Sequence, residues 1–349
     1  MPFLLVPLAL IITLPIAGRS FYKKEHFAGV VFCLLLAFPA FYLGQRFPLA
    51  GGPVIGILLG LLIANSGLKL PKSLNKGISI SGKKVLQMAI VLMGFQMNFR
   101  HVISLGTQAL LLIFAAIVAA VLVAYFIGKA IGVSENDRTL IGVGTAICGG
   151  SAIAAVSPIL KAEEEAVARS ISVIFLFNVI AAFSFPAIGH LLGMTDLQFG
   201  MWAGAAINDT SSVVAASFTY SDAAGEIATV VKLTRTLMII PFCLLISLQV
   251  SKRESKQGGN LSIAKTFPWF VLGFLIASAI NTAAIVPSVA TSFWGNLGRF
   301  FIIIAMVGIG LSCNLSALVK KGKKPILLGF CCSVTVAIVS LGVIYLMGM

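Results

Sequence analysis

The stretch Gly144-Thr-Ala-Ile-Cys-Gly-Gly-Ser-Ala-Ile-Ala-Ala-Val-Ser157 interrupts an apolar run with three glycines and two serines. An uninterrupted membrane helix has no need of so many helix breakers in one place. The stretch also has an echo. Gly204-Ala-Ala-Ile-Asn-Asp-Thr-Ser-Ser-Val-Val-Ala-Ala-Ser217 repeats Gly, Ala, Ile, Ser, Ala and Ser in the same register, with Asn208-Asp209-Thr210 in place of Cys148-Gly149-Gly150. The rest of the chain reads as scaffolding for these two segments.

Hydrophobic residues make up 59% of the 349 residues and charged residues only 10%, where a soluble domain carries about a quarter charged residues. The apolar runs are long and are separated by short basic loops. That is the pattern of an all-α polytopic membrane protein, with about 10–12 membrane segments expected; barrel strands would be shorter and would alternate in polarity. The net charge of +14 sits in loop clusters, so it reports topology and not nucleic-acid binding. Six cysteines lie inside apolar runs without CxxC spacing. Free thiols are expected, with no metal and no cofactor.

The run Phe3 to Ala17 is followed by Arg19, Lys23 and Lys24, the reverse of a signal peptide's charge order. It is expected to remain uncleaved, with its N-terminus outside. The loops Gly67–Lys84 and Lys320–Lys324 carry lysine clusters and belong inside, as does the polar linker Ser251–Lys265. Sliding Gly82–Asn98 onto Gly298–Asn314 superposes glycine, alanine, valine and asparagine, and puts Lys83 over Arg299. The chain is therefore divided into N-terminal extra segments (1–48), a first repeat (49–190) and a second repeat (199–349) within one transmembrane domain. Loop charge gives the repeats opposite orientations. Inversion is satisfied if each glycine-rich segment is a re-entrant hairpin, one entering from each side; a pair of broken helices meeting near the midplane is the alternative.

Several residues in these segments carry chemistry. Gly149, Gly150 and Ser151 present backbone N–H groups and a hydroxyl at one break, and Asn208, Thr210, Ser211 and Ser212 do so at the other. Lys232 and Arg235 lie about 8 and 12 Å into the apolar run Ile227–Gln249 by helix rise. Intramembrane cations are costly and normally have partners, and Asp209, in the second glycine-rich segment, is the candidate partner. These residues read as a positive site for a small anion, with Asp209 tuning it or carrying a coupling proton. In that reading Arg235→Ala abolishes anion flux and leaves the protein folded. Asn98 and Asn314, four residues after Gly94 and Gly310, line the path or coordinate a cation, although close helix packing and interhelical hydrogen bonding explain such residues equally well. Asn178 reads as a structural amide, and the Glu163-Glu164-Glu165 turn with Arg169 as a solvated face.

Gly144-x-Ala-Ile-Cys-Gly-Gly-Ser-Ala-Ile, the triple-glutamate turn and Ala205-Ala-Ile-Asn-Asp-Thr-Ser-Ser-Val-Val214 together resemble the YeiH family of bacterial inner-membrane proteins, often called sulfate exporters. By resemblance that family is grouped with inverted-repeat secondary transporters, including sodium/proton antiporters and bile-acid-type symporters. The grouping implies discontinuous segments at the substrate site, commonly crossed broken helices.

No GxxxxGK[ST], GxSxG or HExxH occurs in the chain, so an enzyme is not expected. The expected function is secondary transport, in the export direction, of a small anion such as sulfate, another sulfur oxyanion or a sulfonate across the inner membrane. The alternative is a sodium- or proton-coupled transporter of an organic solute, with Asp209, Asn98 and Asn314 holding the coupling ion. The expected partners are the small-molecule anion and the lipid bilayer. A homo-oligomer is compatible with the sequence, and no nucleic acid is expected.

Overall fold

In a bilayer each apolar segment must satisfy its backbone N–H and C=O groups internally, and the helix does this within one segment. The computed structural model describes residues 24–47, 51–68, 70–239, 241–243, 245–246, 269–313 and 322–348, which form helices and turns with no strand among the described residues. The first apolar run, the linker Ser251–Lys265 and Asn314 lie outside them. The chain is an all-α polytopic membrane protein. Among the described residues, five helices are long and apolar enough to cross a bilayer alone: α1 (Lys24–Arg46), α5 (Leu110–Ala130), α8 (Glu164–Leu191), α13 (Ser288–Leu311) and α14 (Lys323–Leu346). A sixth span counts if α3 (Lys72–Gly94) and α4 (Phe99–Gln108), bent by 112° at their junction, are taken together. The shorter helices are α2 (Gly51–Asn65), α6 (Glu135–Ala146), α7 (Gly150–Val156), α9 (Asp196–Ala206), α10 (Thr210–Tyr220), α11 (Asp222–Leu237) and α12 (Trp269–Thr282).

Three expected boundaries move. Much of the lysine loop Gly67–Lys84 is the first half of α3, whose buried Ile78 and Gly77 share one side while Lys72 and Lys76 face out. An amphipathic turn pattern, not a loop, explains that lysine spacing. The run placed at Ile227 begins at Asp222, and the one placed at Arg299 begins at Ser288.

The chain divides into two compact units, residues 1–104, 214–222 and 269–315, and residues 105–213, 223–268 and 316–349. In the first, α2 packs on α13 through small residues. A Cβ at Gly60 would stand 2.6 Å from Val307 O and Leu311 N, and Gly310 meets Gly60 Cα at 3.0 Å. Only glycine lets these backbones approach so closely, the small-xxx-small device of membrane helices. At the far end of α3, Phe95 and the fully buried Trp294 meet with ring centroids 4.5 Å apart.

In the second unit α5 lies along α14, and α8 packs against α6, α7 and α14. The two glycine-rich segments are resolved as α6–α7 and α9–α10, and both tips, through Val213, belong to this unit. With 12 and 7 residues, α6 and α7 laid end to end would reach about 28 Å, close to a full crossing. A single ion pair decides the matter. Arg169 Nη2 on the second turn of α8 lies 3.0 Å from Asp137 Oδ2 on the first turn of α6. The chain therefore leaves one side through α6 and is back on that side when α8 begins. Ile153 of α7 folds back to within 3.0 Å of a Cβ at Gly144, as Ile174 of α8 does.

The second segment repeats the pattern from the other end. Gly200 and Gly204 of α9 pack against Ala224 and Ile227 and against Ala228 and Val231 of α11. The two helices thus run side by side in the same direction, so α9–α10 has also returned to its starting side when α11 begins. Both segments are re-entrant hairpins, entering from opposite ends because the 28-residue α8 crosses between them. The crossed broken helices that the resemblance implies are not what this chain forms.

In a cysteine-free background, Ser134→Cys and Ala162→Cys are predicted to react with an impermeant maleimide from one side of the membrane, and Gly193→Cys and Ala223→Cys from the other. Labelling of Ala162→Cys from the side of Gly193→Cys would mean that the first segment crosses.

Candidate functional site

A helix leaves its last carbonyls without intrahelical donors, and a helix that ends inside a membrane cannot pass them to bulk water. Both ingoing hairpin arms end this way, α6 at Ala146 and α9 at Ala206. The donors come from α11. Lys232 Nζ donates to Ile147 O at 2.7 Å and to Ile207 O at 3.0 Å. Arg235 Nε donates to Ala146 O at 2.7 Å, its Nη1 to Ile207 O at 3.3 Å and to Ala205 O, and its Nη2 to Thr145 O. In the register of the echo Ile147 matches Ile207, and Thr145 matches Ala205. Each cation therefore holds equivalent carbonyls of the two tips. Both side chains are 0% exposed.

The tips also touch directly. Gly149 turns the first hairpin at φ +66, a conformation L side chains avoid, and a Cβ there would lie 3.4 Å from Asp209 Cβ and 3.5 Å from Ile174 of α8. Asp209 begins the return helix α10 as its N-cap. Its Oδ2 accepts from Ser211 N at 3.0 Å and from the Ser211 hydroxyl, and its own N–H donates to Asn178 Oδ1 at 3.2 Å. Ile174 and Asn178 stand 10 and 14 residues into α8, about 15 and 21 Å along a helix of about 42 Å. The tips meet at mid-depth.

The remaining expected site residues divide into groups. Gly150 and Ser151 open α7, where Ser151 is exposed and a Cβ at Gly150 would meet nothing within 4 Å. Thr210 is half-buried, and Ser211 and Ser212 are buried in the first turn of α10. Asn208 is 3% exposed, and no donor among the described residues reaches its Oδ1. Asn98 belongs to the other compact unit. Its Oδ1 accepts from Arg100 N at 2.9 Å, capping α4 at the sharp bend. Asn314 lies outside the described residues.

The geometry changes how Lys232 and Arg235 are read. Their near partners are neither Asp209 nor an open anion site but five main-chain carbonyls. Of Arg235's five N–H donors and Lys232's three, four and two are engaged, which leaves one on each. Arg235→Ala therefore cannot be expected to leave the fold intact. Asn178 is the structural amide expected, and it fixes the second tip; Cys148, 3% exposed, sits in the first. The solvated face expected at Arg169 is a bridge to the buried Asp137.

Two positive charges and the Asp209 carboxylate meet four helix ends here. Two C-termini and two N-termini, each equivalent to about half a charge, cancel. With both basic groups protonated, the formal side-chain charge gathered at the tips is +1.

The family model Conserved hypothetical protein 698 matches residues 28–329 of this chain. Similar proteins include a UPF0324 membrane protein of Fusobacterium nucleatum subsp. nucleatum, 43% identical over 340 residues that cover 92% of this chain and 98% of that protein. A UPF0324 membrane protein of Streptococcus pyogenes serotype M3 is 47% identical over 323 residues, covering 90% and 95%. Another, from Streptococcus mutans serotype c, is 41% identical over 337 residues, covering 93% and 98%.

Arg235→Ala strands Thr145 O, Ala146 O and Ala205 O, at a cost on the order of 1–3 kcal/mol each. Lys232→Met strands only Ile147 O, because Ile207 O keeps Arg235. Thermal unfolding followed by size-exclusion chromatography is expected to rank wild type above Lys232→Met and Lys232→Met above Arg235→Ala. An Arg235→Ala protein that melts with wild type would remove the carbonyl clamp.

Proposed function

We propose that this chain, which belongs to the Conserved hypothetical protein 698 family, is a secondary transporter of a small anion in the bacterial inner (plasma) membrane. The observation that carries this reading is the pair of basic side chains, Lys232 and Arg235, held at mid-depth where two oppositely entering hairpins meet. A soluble anion complements those basic groups, which a purely structural clamp of carbonyls does not require. The open space beside Gly150, the exposed Ser151 hydroxyl and the half-buried Thr210 supply room and polar contacts at the same place. Sulfate, other sulfur oxyanions and sulfonates are the cargo class proposed, in the export direction and driven by a gradient. Catalysis is no part of the proposal.

Asp209 supports a second reading. It is the carboxylate at the tips, it is only half-buried, and its hydrogen bonds to Ser211 leave Oδ1 facing Gly149. A sodium- or proton-coupled organic-solute transporter would use such a group for its coupling ion.

Purified protein in proteoliposomes tests both. On the anion reading, labelled sulfur oxyanion or sulfonate enters saturably, and the double variant Ser151→Ala/Thr210→Ala lowers uptake on the order of tenfold, the loss of about 1.4 kcal/mol of hydrogen bonding. Uptake no greater than in empty liposomes for every sulfur oxyanion, sulfonate and carboxylate would overturn it. Sodium- or pH-driven uptake of an uncharged solute, lost in Asp209→Asn, would establish the second reading.

A further inference from the structure

One end of the second compact unit carries positive charge that the hairpin tips do not use. The last turn of α5 and the first turn of α14 are neighbours, because Gly128 packs against Leu328, 3.1 Å from a Cβ built at that glycine. Lys129 is exposed at the end of α5, and Lys323 and Lys324 are exposed at the start of α14. Lys324 Nζ would stand 3.2 Å from a Cβ at Gly132. Arg138 of α6 lies over Gly128 from the other side, its Cζ 6.0 Å from the centroid of the Tyr125 ring. Arg138 Nε is buried with no acceptor among the described residues. Asp137 is engaged by Arg169. Four cations set against the one further carboxylate of this turn, Glu135, leave an excess of three.

Two more features fix the kind of ligand. Gly322 precedes α14 and contributes no side-chain cap, and with Pro325 at the third position the N–H groups of Lys323 and Lys324 are the donors this helix end presents. Such an end favours a phosphate. Directly along the same two helices run exposed Leu122, Tyr125, Phe126, Leu327 and Phe330, an apolar and aromatic face turned to the acyl chains. Charge at the headgroup level, continued by an apolar face, fits a molecule with a phosphate at one end and hydrocarbon at the other.

We propose that Lys129, Arg138, Lys323 and Lys324 form a binding site for the phosphodiester headgroup of an anionic phospholipid in the cytoplasmic leaflet. The site is independent of what the hairpins transport. Arg138, beside the Tyr125 ring, supplies guanidinium donors to the phosphate oxygens, and the lysines supply the surrounding charge.

The test is thermal unfolding of the full chain in neutral detergent at about 0.5 M salt, where diffuse surface attraction is screened. Phosphatidylglycerol is expected to raise Tm by about 3 °C or more, whereas phosphatidylcholine and inorganic phosphate do not. The variant Lys129→Gln/Arg138→Gln/Lys323→Gln/Lys324→Gln loses that shift. A variant with the same charge change on α3, Lys72→Gln/Lys76→Gln/Lys83→Gln/Lys84→Gln, keeps it. Native mass spectrometry of the same proteins gives a readout that needs no unfolding transition, with a phospholipid adduct expected on wild type and on the α3 variant only. Equal loss of shift or adduct in both variants, retention in both, or an equal shift with inorganic phosphate would each overturn the site.

Discussion

Everything in the second compact unit depends on the cost of ending a helix inside a membrane. Two helices stop at mid-depth, and their free carbonyls would be stranded in a medium that offers no water. Lys232 and Arg235 remove that penalty together, since each reaches both tips. The arrangement is mutual: the cations are as expensive to bury alone as the carbonyls are, and each set of groups makes the other tolerable. A lysine alone would satisfy Ile147 and Ile207 and leave Thr145, Ala146 and Ala205 bare. The planar guanidinium is what spans the rest.

That constraint explains the residue choices around it. Gly149 is needed because the first tip turns in a conformation other residues avoid, with Asp209 and Ile174 pressed against it. Asp209 is free to cap α10 because the cations beside it are already engaged by carbonyls. Asn178 sits at the midpoint of α8 because the second tip ends there and its Asp209 N–H needs an acceptor. The small residues of α9, Gly200 and Gly204, bring α11 close enough for its cations to reach both tips.

Much of this was legible in the sequence. The echo between Gly144–Ser157 and Gly204–Ser217 located both tips, and loop charge oriented them as oppositely entering hairpins. The two cations stood out as polar residues in an apolar run. Their partners did not, because a side-chain reading looks for a carboxylate and a main-chain carbonyl leaves no mark in the sequence. The clue available was indirect: a helix that meets glycine at mid-depth must leave its last carbonyls unpaired. Asn98 also has a local role, capping α4. An asparagine just before Phe99-Arg100 is a helix cap by local rule. The lysines before Lys84 read as a loop because their number outweighed the spacing of Gly77 and Ile78, which puts one side of α3 against its neighbours.

The central claim is that the two hairpin tips touch at mid-depth. With the native cysteines replaced, a Gly149→Cys/Asp209→Cys pair tests it, since Cβ atoms there stand 3.4 Å apart, close to the separation of a disulfide. A protease site is placed in the loop at Gly193. Mild oxidation is predicted to join the halves, so that the cut protein runs as one band until it is reduced. Two separate fragments under oxidising conditions, in protein that is folded by size-exclusion chromatography, would contradict the account.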